Sequence, residues 1–99
     1  MNVANVALSG IQAAQTRLAN SANNIANAST DKFQPQKVEL SPLQGGGVKA
    51  ELIEPKDAQG VVLEQEVVET IAAGYDFKAN LKVLKTQNEL DKTLLDIKA

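Results

Sequence analysis

Between Val62 and Lys98 the chain holds no proline, and Gly74 is the only glycine in a 37-residue run of apolar and charged side chains. Such a run predicts one helix, and at a rise of ~1.5 Å per residue it makes a rod about 55 Å long. A compact chain of this size has a radius of gyration of about 13 Å. The helix must therefore reach past any local core, and the fold must be elongated. Its apolar residues form two neighbouring stripes, one of Val67, Phe77, Leu81, Leu84 and Leu95, the other of Val83, Leu90, Leu94 and Ile97. A surface this wide can face more than one helix. Glu64, Glu66 and Glu69 lie in the first turns, where acids complement the helix dipole. Lys78, Lys82 and Lys85 follow at i, i+4 and i+7 with no acid among them. That line fits either a solvated face or a surface that docks acidic residues of a neighbouring copy.

The other end of the chain is built differently. Ten basic and twelve acidic residues give a net charge of −2, yet Arg17 is the only charged residue among the first 30. Met1, Ala4, Leu8, Ile11, Gln15, Leu18, Ala22 and Ile25 recur at three-four spacing, a coiled-coil type of seam interrupted only by Gln15. The spacing predicts a helix over residues 2–27. Asn20, Asn23, Asn24 and Asn27 crowd its end, where a residue tolerant of the left-handed conformation makes a natural stop. With six Asn, each up to ~0.7 kcal/mol worse than Ala in a helix, this segment should fray when alone. Packed on other helices, its seam is buried, its amides hydrogen-bond without the desolvation cost of ions, and its alanines let backbones approach closely. Two arrangements satisfy this equally. The seam lies either against helices of other copies or only against residues 62–98 of its own chain.

Residues 33–60 contain all three prolines and the run Gly45-Gly46-Gly47. Gln36 to Leu40 and Val48 to Ile53 alternate polar and apolar residues around a turn-rich Ser41 to Gly47, which predicts a small β-hairpin. Pro55 to Gly60 punctuates the chain before the long helix. The expected whole is one mainly α domain over residues 1–99, an elongated antiparallel helical hairpin or coiled coil with a small β-hairpin insert. A domain of this size buries only about 60–65 % of its unfolded surface, so its own core is modest and partner chains would add to it.

Chemistry is hard to assemble from these residues. There is no Cys, His or Trp, so thiol chemistry, disulfides and the usual acid–base residue near neutral pH are missing. Ser9, Ser21, Ser29 and Ser41 have no His to activate them. Glu64 and Glu66 point in different directions on a helix, and Glu54 with Asp57 lacks the oxygen cage that calcium needs. Gly45-Gly46-Gly47 is not followed by Lys-Ser or Lys-Thr, so it reads as a flexible hairpin turn and not a phosphate cradle. Three aromatics and a slightly acidic balance argue against nucleic-acid binding. No apolar run reaches the ~20 residues of a membrane span, and a cleavable signal peptide is not expected. The expectation is a non-enzymatic protein without catalytic residues, metal or cofactor.

Leu8-Ser9-Gly10-Ile11-Gln12-Ala13-Ala14, Arg17-Leu18-Ala19, Ala22-Asn23-Asn24-Ile25-Ala26-Asn27 and Thr30 together resemble the N-terminal signature of bacterial flagellar rod and hook proteins. Tyr75, Ala79-Asn80, Lys82-Val83, Thr86, Leu90, Leu94-Leu95 and Ile97-Lys98 look like that family's closing helix. The short middle, with Gly46-Gly47-Val48-Lys49 before a strand, is most similar to the small proximal-rod subunits. Two departures stand out. Where the family has Thr-x-Gly before an aromatic, this chain reads Thr30-Asp31-Lys32-Phe33, without the glycine that suits a tight turn, and Ala73-Gly74 replaces a Gln-Arg pair, which could bend or loosen the second helix.

The resemblance implies a structural subunit of the flagellar basal-body rod, exported unfolded through the flagellum-specific export apparatus without signal cleavage. Its implied partners are further copies of itself and other flagellar axial proteins, and its implied location is the periplasmic rod. In that family both terminal segments are poorly ordered in the monomer and fold together on assembly. The candidate assembly interface comprises Ala4, Leu8, Ile11, Leu18, Asn23, Asn24, Ile25 and Asn27 from the first helix. Tyr75, Phe77, Asn80, Val83, Leu84, Leu90 and Leu94 complete it from the second. Asn23, Asn24 and Asn80 are expected to set register. The alternative is a soluble coiled-coil adaptor, or a chaperone-like module for flagellar axial proteins.

Overall fold

The computed structural model describes residues 2–55 and 60–98. Met1, at the head of the expected seam, and Asp57, weighed with Glu54 as a cation site, lie outside them. The order of elements is α1 (Val3–Ala26), β1 (Lys37–Pro42), β2 (Val48–Ile53) and α2 (Leu63–Lys98). The fold is a mainly helical, elongated hairpin with a two-stranded antiparallel sheet between the helices in sequence. Its extents are 63 × 25 × 14 Å and its radius of gyration is 17.4 Å, well above the ~13 Å of a compact chain of this length.

Asparagine defines both ends of α1. Asn2 is the N-cap, its Oδ1 accepting from the Ala4 N–H at 2.8 Å, and Asn27 is the C-cap, its N–H donating to the Asn23 carbonyl at 3.0 Å. Both therefore flank the helix, because a short side chain that competes for backbone hydrogen bonds suits a cap better than an interior position. Helix α2 begins one residue after Val62, whose carbonyl accepts the Glu66 N–H, and runs without interruption through Gly74. A Cβ at Gly74 would meet nothing within 4 Å, so this glycine marks no close approach.

In the sheet, pairing runs from Lys37 opposite Ile53 to Pro42 opposite Val48. β2 coincides with the expected strand, whereas β1 lies one to two residues later than Gln36–Leu40. The reason is local: the Gln36 carbonyl is held by α1 side chains, and Pro42 is tolerated at the end of an edge strand because it has no ladder donor to lose. Gly45, Gly46 and Gly47 all have positive φ, at 91°, 109° and 94°. That explains the run of three, since only glycine adopts these angles freely.

The helices are antiparallel, with Gly10 against Asn80 and Arg17 between Glu69 and Asp76. The inner seam of α1 runs Ala7, Ile11, Ala14, Leu18 and Ser21, and Ala7, Ala14 and Ser21 are fully buried one heptad apart. On α2 the covered positions include Glu66, Glu69, Thr70, Ala73, Phe77, Asn80, Leu84 and Gln87, with Ala73 at 0 % exposure. The seam expected from spacing is thus shifted. Ile11 and Leu18 turn inward as expected, while Leu8, Gln15 and Ala22 face outward. Small residues occupy the inside because they let two helices close together where the α2 side is itself small or polar.

Candidate functional site

Three faces of α1 can be assigned. The first meets α2. Here Gly10 admits the Asn80 side chain, for a Cβ at Gly10 would lie 2.5 Å from Asn80 Nδ2, while that amide donates to the Asp76 carbonyl at 2.9 Å. Arg17, whose side chain is 13 % exposed, donates through Nε to Glu69 and through Nη1 to Asp76 Oδ2 at 2.6 Å. Glu69 and Asp76 are one heptad apart and bracket buried Ala73. Hydrogen bonding to Glu69 raises the guanidinium above its ordinary range, burial opposes that rise, and Asp76 adds to it. The lone charge of the first 30 residues is therefore neutralised inside the chain.

The second face carries the hairpin. Ser9 Oγ accepts from the Val48 N–H at 3.1 Å and donates to the Val6 carbonyl at 2.7 Å. A Cβ at Gly47 would lie 2.6 Å from that same oxygen. Farther along, Asn20 and Asn24 donate to a single acceptor, the Gln36 carbonyl, at 2.9 and 3.0 Å. Asn24 is 1 % exposed, so its amide holds the returning loop and is not free to set register between helices. Asn23 also acts locally, its carbonyl and Oδ1 both accepting from Asn27 Nδ2. Thr30 Oγ1 extends this network to Asn27 Oδ1 at 3.1 Å.

The third face of α1 has no partner among the described residues. Asn5, Leu8, Gln12, Gln15, Ala19, Ala22, Asn23 and Ala26 are exposed along it and include no charge. Helix α2 offers matching apolar surface. Leu63, Val67, Ile71 and Tyr75 follow one another at i+4 and are all exposed, as are Leu81 and Val83. Beyond α1 the second helix stands alone. Gly10 faces Asn80, and α1 starts seven residues earlier, so α2 outruns it after about Gln87 by 11 residues, or about 16 Å. Leu90, Leu94, Leu95 and Ile97 on this overhang are 53 %, 57 %, 67 % and 75 % exposed.

The expected interface residues consequently fall into two sets. Ile11, Leu18, Asn24, Phe77, Asn80 and Leu84, with Ala4 and Asn27, are wholly or partly covered within the chain, whereas Leu8, Asn23, Ile25, Tyr75, Val83, Leu90 and Leu94 are exposed. Spacing missed the Arg17 clamp. Its signal was present in a solitary Arg on an otherwise uncharged helix and two acids seven apart on the other. Glu69 thus belongs to the helix interface, not only to an acidic first turn. Lys78, Lys82 and Lys85 are exposed and make no ion pair among the described residues.

Thr30 to Phe33 form a tight turn despite the missing glycine. The Phe33 N–H donates to the Thr30 carbonyl at 3.2 Å, and Lys32 takes the left-handed conformation at φ 61°. An open cleft of about 650 Å³ beside Thr30, Lys32, Phe33 and Val61 holds no cluster of reactive side chains. Among the described residues no group of three or more acidic, His or Cys side chains could hold a metal ion, and no helix is long and apolar enough to cross a membrane. Comparison with models of known protein families found no match, and comparison with curated proteins found none either.

Proposed function

We propose that this chain is a structural subunit of the bacterial flagellar basal-body rod, of the small proximal-rod kind, that self-assembles by packing its two helices against those of neighbouring subunits. The observation that carries the proposal is the unpartnered surface: a charge-free outer face on α1 beside an α2 whose last 11 residues expose Leu90, Leu94, Leu95 and Ile97. In a lone chain that surface has no purpose, because a monomer gains nothing from extending four large apolar residues past its core. Covered by other copies, it adds the apolar burial that a chain of this size lacks. The residues that carry the family resemblance support the same reading. Most of them lie on these two helices, and the turn at Thr30 to Phe33 keeps its left-handed third residue although glycine is replaced. On this reading the protein passes unfolded through the flagellar export apparatus and folds at the growing rod. Its partners are itself and other axial proteins, and it uses no metal or cofactor.

Cell fractionation tests the proposal. The protein should copurify with isolated basal bodies after membrane solubilisation, and loss of its gene should leave cells without completed flagella. Recovery solely in the cytoplasm, bound to axial proteins before their export, would overturn the rod assignment in favour of an adaptor.

A further inference from the structure

We infer that Arg17 is a salt-sensitive latch that holds α2 as a releasable arm on a unit made of α1 and the β-hairpin. The two sets of contacts on α1 differ in kind. The hairpin is fastened by neutral hydrogen bonds, Val48 N–H to Ser9 Oγ and the Asn20 and Asn24 amides to the Gln36 carbonyl. Fastening to α2 is different. The only side-chain hydrogen bonds and ion pairs between α1 and α2 among the described residues are those of Arg17 with Glu69 and Asp76. The rest of that seam consists of small residues, a few apolar ones such as Ile11 and Phe77, and polar side chains of α2 such as Thr70 and Asn80 that make no hydrogen bond across to α1.

Location makes the latch responsive. Arg17 is largely covered, but the Glu69 and Asp76 side chains are 42 % and 58 % exposed, so dissolved ions reach the carboxylates. The screening length falls from ~10 Å at about 0.1 M salt to ~3 Å at about 1 M, which weakens this link and leaves the amide–carbonyl links to the hairpin nearly unchanged. Release bares Ala7, Ala14, Ser21 and Ala73, a seam narrow enough to accept another helix in place of α2. The inference rests on contacts within one chain. Its failure leaves the assembly proposal standing, and failure of the assembly proposal leaves the latch intact.

Amide hydrogen exchange on the full-length protein, at about 0.05 and about 1 M sodium chloride, tests the latch. Amides of residues 66–87 should exchange roughly fivefold faster at high salt, the factor that follows from losing about 1 kcal/mol in a partly exposed ion pair. Cross-strand amides of β1 and β2 should change little. Arg17→Gln should show the faster α2 exchange already at low salt and respond no further. Because that variant alters a covered position, Glu69→Gln combined with Asp76→Asn, which keeps Arg17 and changes its two more exposed partners, provides the independent check and should also abolish the salt response. An unchanged α2 rate in the wild-type protein at high salt would overturn the latch. So would hairpin and α2 amides accelerating together, or a salt response that persists in the double variant.

Discussion

Ser21 and Asn24 lie less than one helical turn apart on α1, and neither is reached by water. Asn24 donates to the Gln36 carbonyl, whereas Ser21 Oγ has no hydrogen-bond partner among the described residues. Their roles differ accordingly. Asn24 ties a loop to the helix, and Ser21 serves as a small residue where α2 comes close. Lys32 is the other residue whose conformation is costly, since a side chain in the left-handed region is disfavoured by roughly 1–2 kcal/mol. Lys32→Gly removes that strain and returns part of it through the greater freedom of glycine in the unfolded chain. The variant should be stabilised by about 0.5–1 kcal/mol, read as a higher urea midpoint at unchanged slope. A lower midpoint would mean that the Lys32 side chain contributes more than its backbone costs.

At the scale of elements, the β-hairpin depends on α1, because two strands alone are only marginally stable in water. Gly47 is where the two elements meet, with φ 94° and a Cβ position 2.6 Å from Ser9 Oγ. Gly47→Ala should therefore cost about 1–3 kcal/mol and loosen the hairpin before the helix pair. Faster exchange of β1 and β2 amides than of α1 amides would display this order, and uniform acceleration would contradict it.

The elements themselves were legible in the sequence: the proline-free run bounded α2, the crowded Asn residues marked the C-terminal end of α1, and the glycine run located the turn. Which face of α1 turns inward was not. Three-four spacing can be drawn through Ala4, Leu8, Ile11, Gln15 and Leu18 or through Ala7, Ile11, Ala14, Leu18 and Ser21. Both lines share Ile11 and Leu18, and alanine fits either side of a helix. Only the partner decides. Asn80, Thr70 and Ala73 on α2 favour the line of small residues, and Asn80 packs against Gly10, where a Cβ would lie 2.5 Å from its Nδ2. Asn24 illustrates the same limit, since its acceptor, twelve residues away, lies in a loop whose path no local pattern encodes.

For the molecule as a whole, length is the dominant fact. The 63 Å long axis is set by α2, and the covered core is confined to the stretch where α1 runs beside it. Most large apolar residues on the two helices remain exposed, an unusual state for a monomer and an ordinary one for a subunit awaiting neighbours. Absence of cysteine offers a direct probe of that difference, because Leu94→Cys introduces a unique thiol on the overhang of α2. Its reactivity with a water-soluble maleimide should be high in dilute purified protein, where Leu94 is 57 % exposed, and strongly suppressed in isolated basal bodies. Equal labelling in both states would contradict the account, since it would mean that no neighbouring subunit covers the overhang.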